Sequence, residues 1–469
     1  MLRRNRHPFF NQTFYQGVTH QKLHWVVMLL VVLISCAPDA QPYNMNSRPN
    51  IILIMADDLG YETIRANGGT SYQTPEIDRL AAKGMRFEHC YSQPLCTPSR
   101  VKLMTGIYNV RNYVRFGLLA TSQTTFGHIF RDAGYATCVV GKWQLGKDPA
   151  SPQRAGFENH CLWQVQQGRV DSTGRDTRFS KPVLETDGLA KTYGDKDYGP
   201  RVVSDYGLDF IEKCHQKGKP FLLYYPMILT HCPFSPTPDS PEWIEDDTTT
   251  MSYKGKAHYF EDMVAEMDQI VGKINHKLTE LGIQNNTVVI FTGDNGTDKP
   301  VVSTLNGREV AGAKGQSTDA GTRVPLIVQW PDIVKANSVD THLIDFSDFL
   351  PTMCEAINLT LSDTLDIDGQ SFLPLLRGES GPHREWIYNW YSRNGDASKA
   401  SVFARNQRFK LYESGEFYEI PKDYEEKYPL ELEELDTDSK MVYQMLSDVL
   451  VHYKSKRLDK ILPFEAEEE

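Results

Sequence analysis

Apolar residues in this chain gather into short runs separated by longer amphipathic stretches. Residues 51–55, 136–141, 221–225, 287–291 and 326–330 are such runs, each too short for a stable helix. A near-continuous apolar run of five or six residues predicts a strand covered on both faces. Between the runs the period lengthens. Residues 75–83 predict a helix, with Thr74 as its N-cap and Gly84 just past its end. A second helix is expected to open at Thr124 and close at Gly134. Met263, Val264, Met267, Ile270, Val271, Ile274, Leu278 and Leu281 form one stripe of a long amphipathic helix. Strands alternating with helices predict an α/β fold with a mostly parallel central sheet sandwiched by helices.

The texture changes near residue 380. Aromatic-rich stretches at 386–391, 401–404, 409–412 and 417–420 predict a small antiparallel sheet, and the run near 441–453 a helix packed on it. There are no internal repeats. The expected organisation is a signal peptide at 1–35, a linker at 36–48, a catalytic domain at 49–379 and a C-terminal subdomain at 380–469.

The first segment stands apart from the fold. Arg3, Arg4, Arg6 and Lys22 precede a wholly apolar run from residue 25 to 34, with no acid before Asp39. Ten apolar residues fall short of the roughly 20 that span a bilayer, so the pattern is that of a secretory signal. Its end, Leu33-Ile34-Ser35-Cys36, is similar to a bacterial lipobox, which implies cleavage before Cys36 and lipid attachment to its sulfur. An ordinary signal peptide cut nearby is the other reading. The expected location is therefore periplasmic or cell-surface, with membrane contact only through the lipid.

A formal charge of −11 argues against a nucleic-acid partner, which needs a basic face. It leaves room for an anionic small substrate in a local basic pocket. The eight cysteines contain no C-x-x-C pair, so neither zinc nor a thioredoxin-type site is indicated, and no disulfide is assigned.

The candidate chemistry is positional. Asp57-Asp58 follow the first predicted strand, Lys142 the 136–141 strand, His231 the 221–225 strand after a loop, and Asp294-Asn295 the 287–291 strand. In open α/β sheets the carboxyl ends of parallel strands face one crevice, where ligands bind. Three carboxylates brought together there repel unless a cation lies among them. Oxygen donors favour calcium, with magnesium second, over zinc. Taken singly, Asp57-Asp58 also read as a cap and Asp294-Asn295-Gly296 as a turn.

Cys96-Thr97-Pro98-Ser99-Arg100 resembles the C-x-P-S-R signature of type I, formylglycine-dependent sulfatases of the alkaline phosphatase superfamily. The resemblance runs from about residue 49 to 420. It includes Ala56-Asp57-Asp58, Gly141-Lys142-Trp143, His231-Cys232-Pro233, Thr292-Gly293-Asp294-Asn295-Gly296, Lys314-Gly315, Gly321-Thr322-Arg323-Val324-Pro325 and Arg408-Phe409-Lys410-Leu411. It implies an alkaline-phosphatase-like fold and hydrolysis of a sulfate ester; the expected secretion and lipid anchor point to a sulfated saccharide, with an aryl sulfate as the other substrate. It also implies a maturase that oxidises Cys96 to formylglycine, and a metal held by Asp57, Asp58, Asp294 and Asn295 with residue 96. The hydrate of that aldehyde has two hydroxyls: one attacks sulfur, and the other then expels sulfate and restores the aldehyde. Pro98 suits the first turn of a helix, which would set the nucleophile at a helix N-terminus.

By the same resemblance Arg100 holds the nucleophile, Lys142 and Lys314 contact the sulfate, and His231, with Lys314, serves the leaving oxygen. Arg323 and Asp319 are open between a site role and a structural ion pair. One position departs from the family pattern. Many sulfatases carry histidine two residues after the lysine, where this chain has Gln144, whose amide holds a hydroxyl but shuttles no proton. Tyr61, Arg111, Arg115, His128, Trp163 and Arg169 are unranked candidates to line a sugar cleft. Two rivals stay open: a phosphatase or phosphodiesterase of the same superfamily, and a surface lipoprotein that binds glycans with little catalysis.

Overall fold

The structure, a computed structural model, describes residues 48–172, 174–243 and 253–457. The expected signal segment and Cys36 lie outside these residues. Sixteen strands are described: β1 (Asn50–Ala56), β2 (Met85–Tyr91), β3 (Ala136–Lys142), β4 (Asn159–Trp163), β5 (Val183–Thr186), β6 (Leu189–Thr192), β7 (Phe221–Pro226) and β8 (Thr287–Gly293) come first. They are followed by a separate hairpin, β9 (Val302–Leu305) and β10 (Arg308–Ala311), then β11 (Arg323–Gln329) and β12 (Ser338–Asp345). The last four are β13 (Ile387–Tyr391), β14 (Ser401–Arg405), β15 (Phe409–Tyr412) and β16 (Phe417–Glu419). The helices that matter to the site are α1 (Pro75–Lys83), α2 (Cys96–Thr105), α3 (Phe126–Asp132), α4 (Gly199–Gln216), α5 (Phe260–Glu280) and α6 (Thr437–Lys454).

Ten strands make one sheet, in the order β12-β2-β11-β8-β1-β7-β3-β4-β5-β6. Its centre, β8 through β4, is parallel throughout, as the doubly covered apolar runs require. Every residue of β1 is buried: Ile52, Ile54 and Ala56 join a core shared with α1, α4 and α5, while Ile51, Leu53 and Met55 are covered on the opposite face. Each such side chain contributes about 1.5–3 kcal/mol by leaving water. The predicted stripe of α5 lies in that core except Leu281, which falls one residue past the helix and is only partly buried.

Three local readings change. β11 was expected as one more strand of a mostly parallel sheet, yet it runs antiparallel to both neighbours, β2 and β8. Thr74 flanks α1 without capping it. Asp268 of α5 instead accepts from the first-turn amides of Glu76 and Ile77, at 3.0 and 2.8 Å. The predicted helix from Thr124 begins later, with Thr125 and His128 in a capping box.

The C-terminal strands form the expected four-stranded antiparallel sheet, with Tyr453 of α6 stacked on Tyr388 of β13 at 4.5 Å. Buried ion pairs join this sheet to the rest. Arg405 of β14 meets Asp319, Arg384 ahead of β13 meets Asp348, Lys410 of β15, paired with Glu426 (2.8 Å), reaches the Ser317 carbonyl, and Lys102, paired with Asp345 (2.6 Å), reaches the Tyr388 carbonyl at 3.5 Å. The loop carrying Lys314 is thus held from beneath by β14 and β15. Among the described residues no helix is long and apolar enough to cross a membrane.

Candidate active site

Parallel β1, β3, β7 and β8 end on the same edge, and their next residues meet there. Backbone hydrogen bonds lock the loops together: Asp57 N–H donates to Leu229 (2.8 Å), Thr230 N–H to Asp57 (2.8 Å) and Asp294 N–H to Ala56 (2.9 Å). Asp58 adopts φ +61°, an uncommon left-handed conformation, and its N–H donates to Asp294 Oδ1 at 2.9 Å. Gly141 is required as glycine. It has φ +112°, and a Cβ there would lie 2.0 Å from the Pro226 carbonyl, so any side chain would push β3 and Lys142 off β7.

Cys96 is the first residue of α2, a helix buried along its whole length. Its Sγ lies 3.1 Å from Gln144 Oε1 and 3.6 Å from Lys142 Nζ. Gln144 also holds a left-handed conformation (φ +53°), which turns its amide toward residue 96. Arg100, one turn along, donates to the carbonyls of Lys142 (2.8 Å) and Trp143 (3.3 Å) and to Asp294 Oδ2 (3.2 Å). Lys142 Nζ donates to Asp57 Oδ2 (2.7 Å) and Lys314 Nζ to Asp58 Oδ2 (2.5 Å). Asn295 Nδ2 donates to Asp58 Oδ1 (2.9 Å), and His231 Nε2 is 3.7 Å from Asp58 Oδ2.

These groups perturb one another strongly. Burial pushes the Asp57 carboxyl up, but Lys142, Arg100 and Lys314 together outweigh it and hold it below the usual range. Burial, reinforced by the charge of Asp57, pushes Asp294 up to about 8 despite Arg100. Burial likewise raises Asp58 and the Cys96 thiol. His231 is driven well below neutrality by burial, then by Lys314, Lys142 and Arg178.

The donor set fits a cation. Ligand atoms of Asp57, Cys96 and Asp294 lie within 4.8 Å of one another, and so do those of Asp57, Asp58 and His231. Two buried oxygens, Asp57 Oδ1 and Asn295 Oδ1, have no hydrogen-bond partner, an expensive state unless an ion completes them. A carboxyl raised to about 8 by burial and by the charge of Asp57 is one that added positive charge would ionise. Hard oxygens in a mixed, partly amide set suit calcium or magnesium better than zinc.

A family model described as Sulfatase matches residues 49–359, and a second, described as N-sulphoglucosamine sulphohydrolase, C-terminal, matches residues 314–456. The chain belongs to the sulfatase family. It is a sulfuric ester hydrolase. N-acetylgalactosamine-6-sulfatase of Mus musculus is 31% identical over 388 residues, covering 76% of this chain and 71% of that protein. Two solved structures share the fold. Ps i-CgsB in complex with k-i-k-neocarrahexaose has a TM-score of 0.72 at 23% identity, covering 90% of this chain and 97% of its own. BT4656 in complex with its substrate D-glucosamine-2-N,6-O-disulfate has a TM-score of 0.70 at 22% identity, covering 88% and 100%.

Ten residues named from sequence in this sulfatase therefore converge: Asp57, Asp58, Cys96, Arg100, Lys142, Gln144, His231, Asp294, Asn295 and Lys314. Several other candidates do not. Asp319 pairs with Arg405, and Arg323 lies 3.9 Å over the Tyr61 ring while donating to the Glu88 carbonyl, so Asp319, Arg323 and Tyr61 are structural. His128 is spent on its capping box, and Trp163 is buried with its indole N–H on Thr177 at 3.0 Å. Arg111 is paired with Asp366 and Asp368. Arg169 sits 4.6 Å from the ring centroid of Tyr253, which is 51% exposed, with Lys254 on the same ring at 5.5 Å. For Arg115 no contact distinguishes it as a lining residue.

Sequence reasoning missed Arg178, whose Nη1 lies 2.8 Å from His231 Nδ1. Nothing marks it beforehand, because it stands in a loop segment with Arg169 and Arg175, all of similar appearance. Tyr253 and Lys254 were missed for the same reason: no periodic element carries them.

Proposed function

We propose that this sulfatase hydrolyses a sulfate ester on a saccharide, with Cys96 matured to formylglycine and one calcium ion held by Asp57, Asp58, Asp294, Asn295 and residue 96. The observation that carries this reading is the placement of Cys96 Sγ, at a helix N-terminus and within 4.8 Å of the ligand oxygens of Asp57 and Asp294. The ion would withdraw charge from the sulfate and acidify the nucleophile, and the converted side chain would supply the hydroxyls that a thiol lacks.

The chain's own groups have distinct tasks. Arg100 is anchored on two carbonyls and fixes the carboxylate of Asp294 beside the nucleophile. Gln144 Oε1 accepts from residue 96 and so orients it. Lys142 and Lys314, pointed into the crevice by β3 and by the loop after β10, bind sulfate oxygens and offset the charge that builds there. Lys314, held charged, and His231, held neutral, face the bridging oxygen, so that Lys314 gives the proton that the departing alcohol takes and His231 a hydrogen bond. Gln144 cannot move a proton, so sulfate release relies on these neighbours.

Saccharide as substrate class is supported by what the relatives' names say they act on or hold: an N-acetylgalactosamine 6-sulfate, a neocarrahexaose and a disulfated glucosamine. The exposed ring of Tyr253, flanked by Arg169 and Lys254, is a surface on which a sugar face and a second anionic group can rest. Secretion as a lipoprotein acylated on Cys36 belongs to the same proposal.

The test is to co-express the chain with a formylglycine-generating maturase. Mass spectrometry of the Cys96 peptide should show loss of hydrogen sulfide and gain of oxygen. Sulfate release from a panel of sulfated saccharides should fall about 10⁴-fold or more in Cys96→Ala and vanish with a chelator. Faster release of phosphate from phosphate esters, or full activity in Cys96→Ala, would overturn the reading.

A further inference from the structure

Arg178 is 0% exposed, yet it belongs to a loop rather than to any strand or helix. What holds it is specific. Its Nε and Nη2 donate to the two carboxylate oxygens of Asp176, each at 2.9 Å, and its guanidinium stacks 4.4 Å over the Trp163 ring. A guanidinium fixed by a bidentate carboxylate and an aromatic face has little freedom to turn. Its remaining nitrogen, Nη1, donates to the Cys232 carbonyl at 2.5 Å and lies 2.8 Å from His231 Nδ1.

A guanidinium nitrogen donates and never accepts. Two tautomers compete: a bare Nδ1 accepts from Nη1 at 2.8 Å, whereas a protonated Nδ1 donates to the Cys232 carbonyl and faces Nη1 donor to donor. The Cys232 carbonyl also lies 2.6 Å from Nδ1. That carbonyl competes for Nδ1, and the fixed positive charge of Arg178 beside the ring favours the form in which Nδ1 accepts. A neutral imidazole with its Nδ1 lone pair engaged carries its hydrogen on Nε2. Nε2 is the atom that faces the crevice, 3.7 Å from Asp58 Oδ2. The same contact argues against His231 as a metal ligand through Nε2, because that would require the hydrogen on Nδ1.

We propose that Arg178, held by Asp176, is a positioning residue that locks His231 in the Nε2–H tautomer, so that His231 serves the leaving oxygen as a hydrogen-bond donor. This rests on the reading of His231 given above and divides the labour with Lys314. It has a distinctive consequence. A hydrogen bond to an oxygen gaining negative charge matters most when the leaving alcohol is a weak acid, and least for an acidic phenol.

The experiment measures kcat and KM of the matured enzyme on aryl sulfates whose phenols span a wide range of acidity. Wild type, His231→Gln, Arg178→Gln and Arg178→Lys are compared. His231→Gln should lose activity most on the least acidic phenol, and Arg178→Gln should follow it, losing about tenfold more there than on the most acidic one. KM in Arg178→Gln should stay within about twofold of wild type. Arg178→Lys, which keeps one donor for Nδ1, should recover most of the difference. A uniform loss across the series in Arg178→Gln, or a change in KM alone, with His231→Gln still selective, overturns the role of Arg178 and leaves that of His231 intact. A uniform loss in His231→Gln overturns both. Should Arg178→Gln fail to fold, Asp176→Asn keeps the arginine but loosens it, and must show the same selectivity at smaller size; a flat response there also overturns the proposal.

Discussion

Two buried clusters of charge in this sulfatase use the same residue types to opposite ends. Along the seam with the C-terminal sheet, Arg405–Asp319, Arg384–Asp348, Lys102–Asp345 and Lys410–Glu426 are ion pairs whose carboxylate oxygens all find partners. In the crevice Lys142–Asp57 is as buried and Lys314–Asp58 only a little less, but Asp57 Oδ1 and Asn295 Oδ1 are left over. The seam holds Asp319 below the usual carboxylate range: burial raises it, and Arg405, Arg323 and Lys410 outweigh that. The crevice leaves Asp294 at about 8. Burial and charge therefore do not mark a site. What sets the crevice apart is unpartnered oxygens among carboxylates whose ligand atoms lie within 4.8 Å of one another, together with left-handed backbone at Asp58 and Gln144.

The comparison breaks most visibly in the seam. Arg405→Leu strands a buried Asp319 and should cost about 3–5 kcal/mol, read as a fall in denaturation midpoint, with kcat per folded molecule changed little. A large loss of kcat with unchanged stability would mean that the seam is part of the site. Asp294→Asn is the mirror case. It should lower kcat about a hundredfold by weakening the ion's hold, yet leave the chelated protein no less stable than wild type. A clear drop in the melting temperature of the chelated variant would put Asp294 with the structural carboxylates.

A smaller effect is expected from pH. His89, beside the seam, has its pKa lowered to about 3 by burial, then by Arg323 and Arg405. Below about pH 6.5 the unfolded chain takes up a proton there and the folded one does not. This contribution to stability is thus present above pH 6.5 and lost as pH falls toward 3, at up to about 1.4 kcal/mol per pH unit. His89→Gln should flatten the acid limb of the stability curve. An unchanged slope would show that His89 titrates normally.

Much of the site was legible because four apolar runs became parallel strands, and the residue types after each run were the informative ones. Asp57, Lys142, His231 and Asp294 could be placed at one edge from that pattern alone, and the resemblance around Cys96 added the nucleophile. What escaped lies where periodicity is weak. β2 mixes Met85 and Phe87 with half-buried Arg86, Glu88 and His89, so it lacks the solid apolar run that marks the central strands. The reversal of β11 depends on its pairing between β2 and β8, which no local signal encodes. Arg178 acquires its role only through contacts 53 residues away. Tyr61 and Trp163 have the composition of sugar-binding residues, and tertiary packing assigns them to the interior.

The central claim is that the crevice is a coordination set finished by one divalent ion. Calorimetric titration of calcium into the chelated protein addresses it directly, with Asp57→Asn and the seam variant Arg405→Leu as the two comparisons. The account predicts one saturable site in wild type, retained in Arg405→Leu and lost in Asp57→Asn. Equal binding by Asp57→Asn, or no binding by wild type, would contradict it.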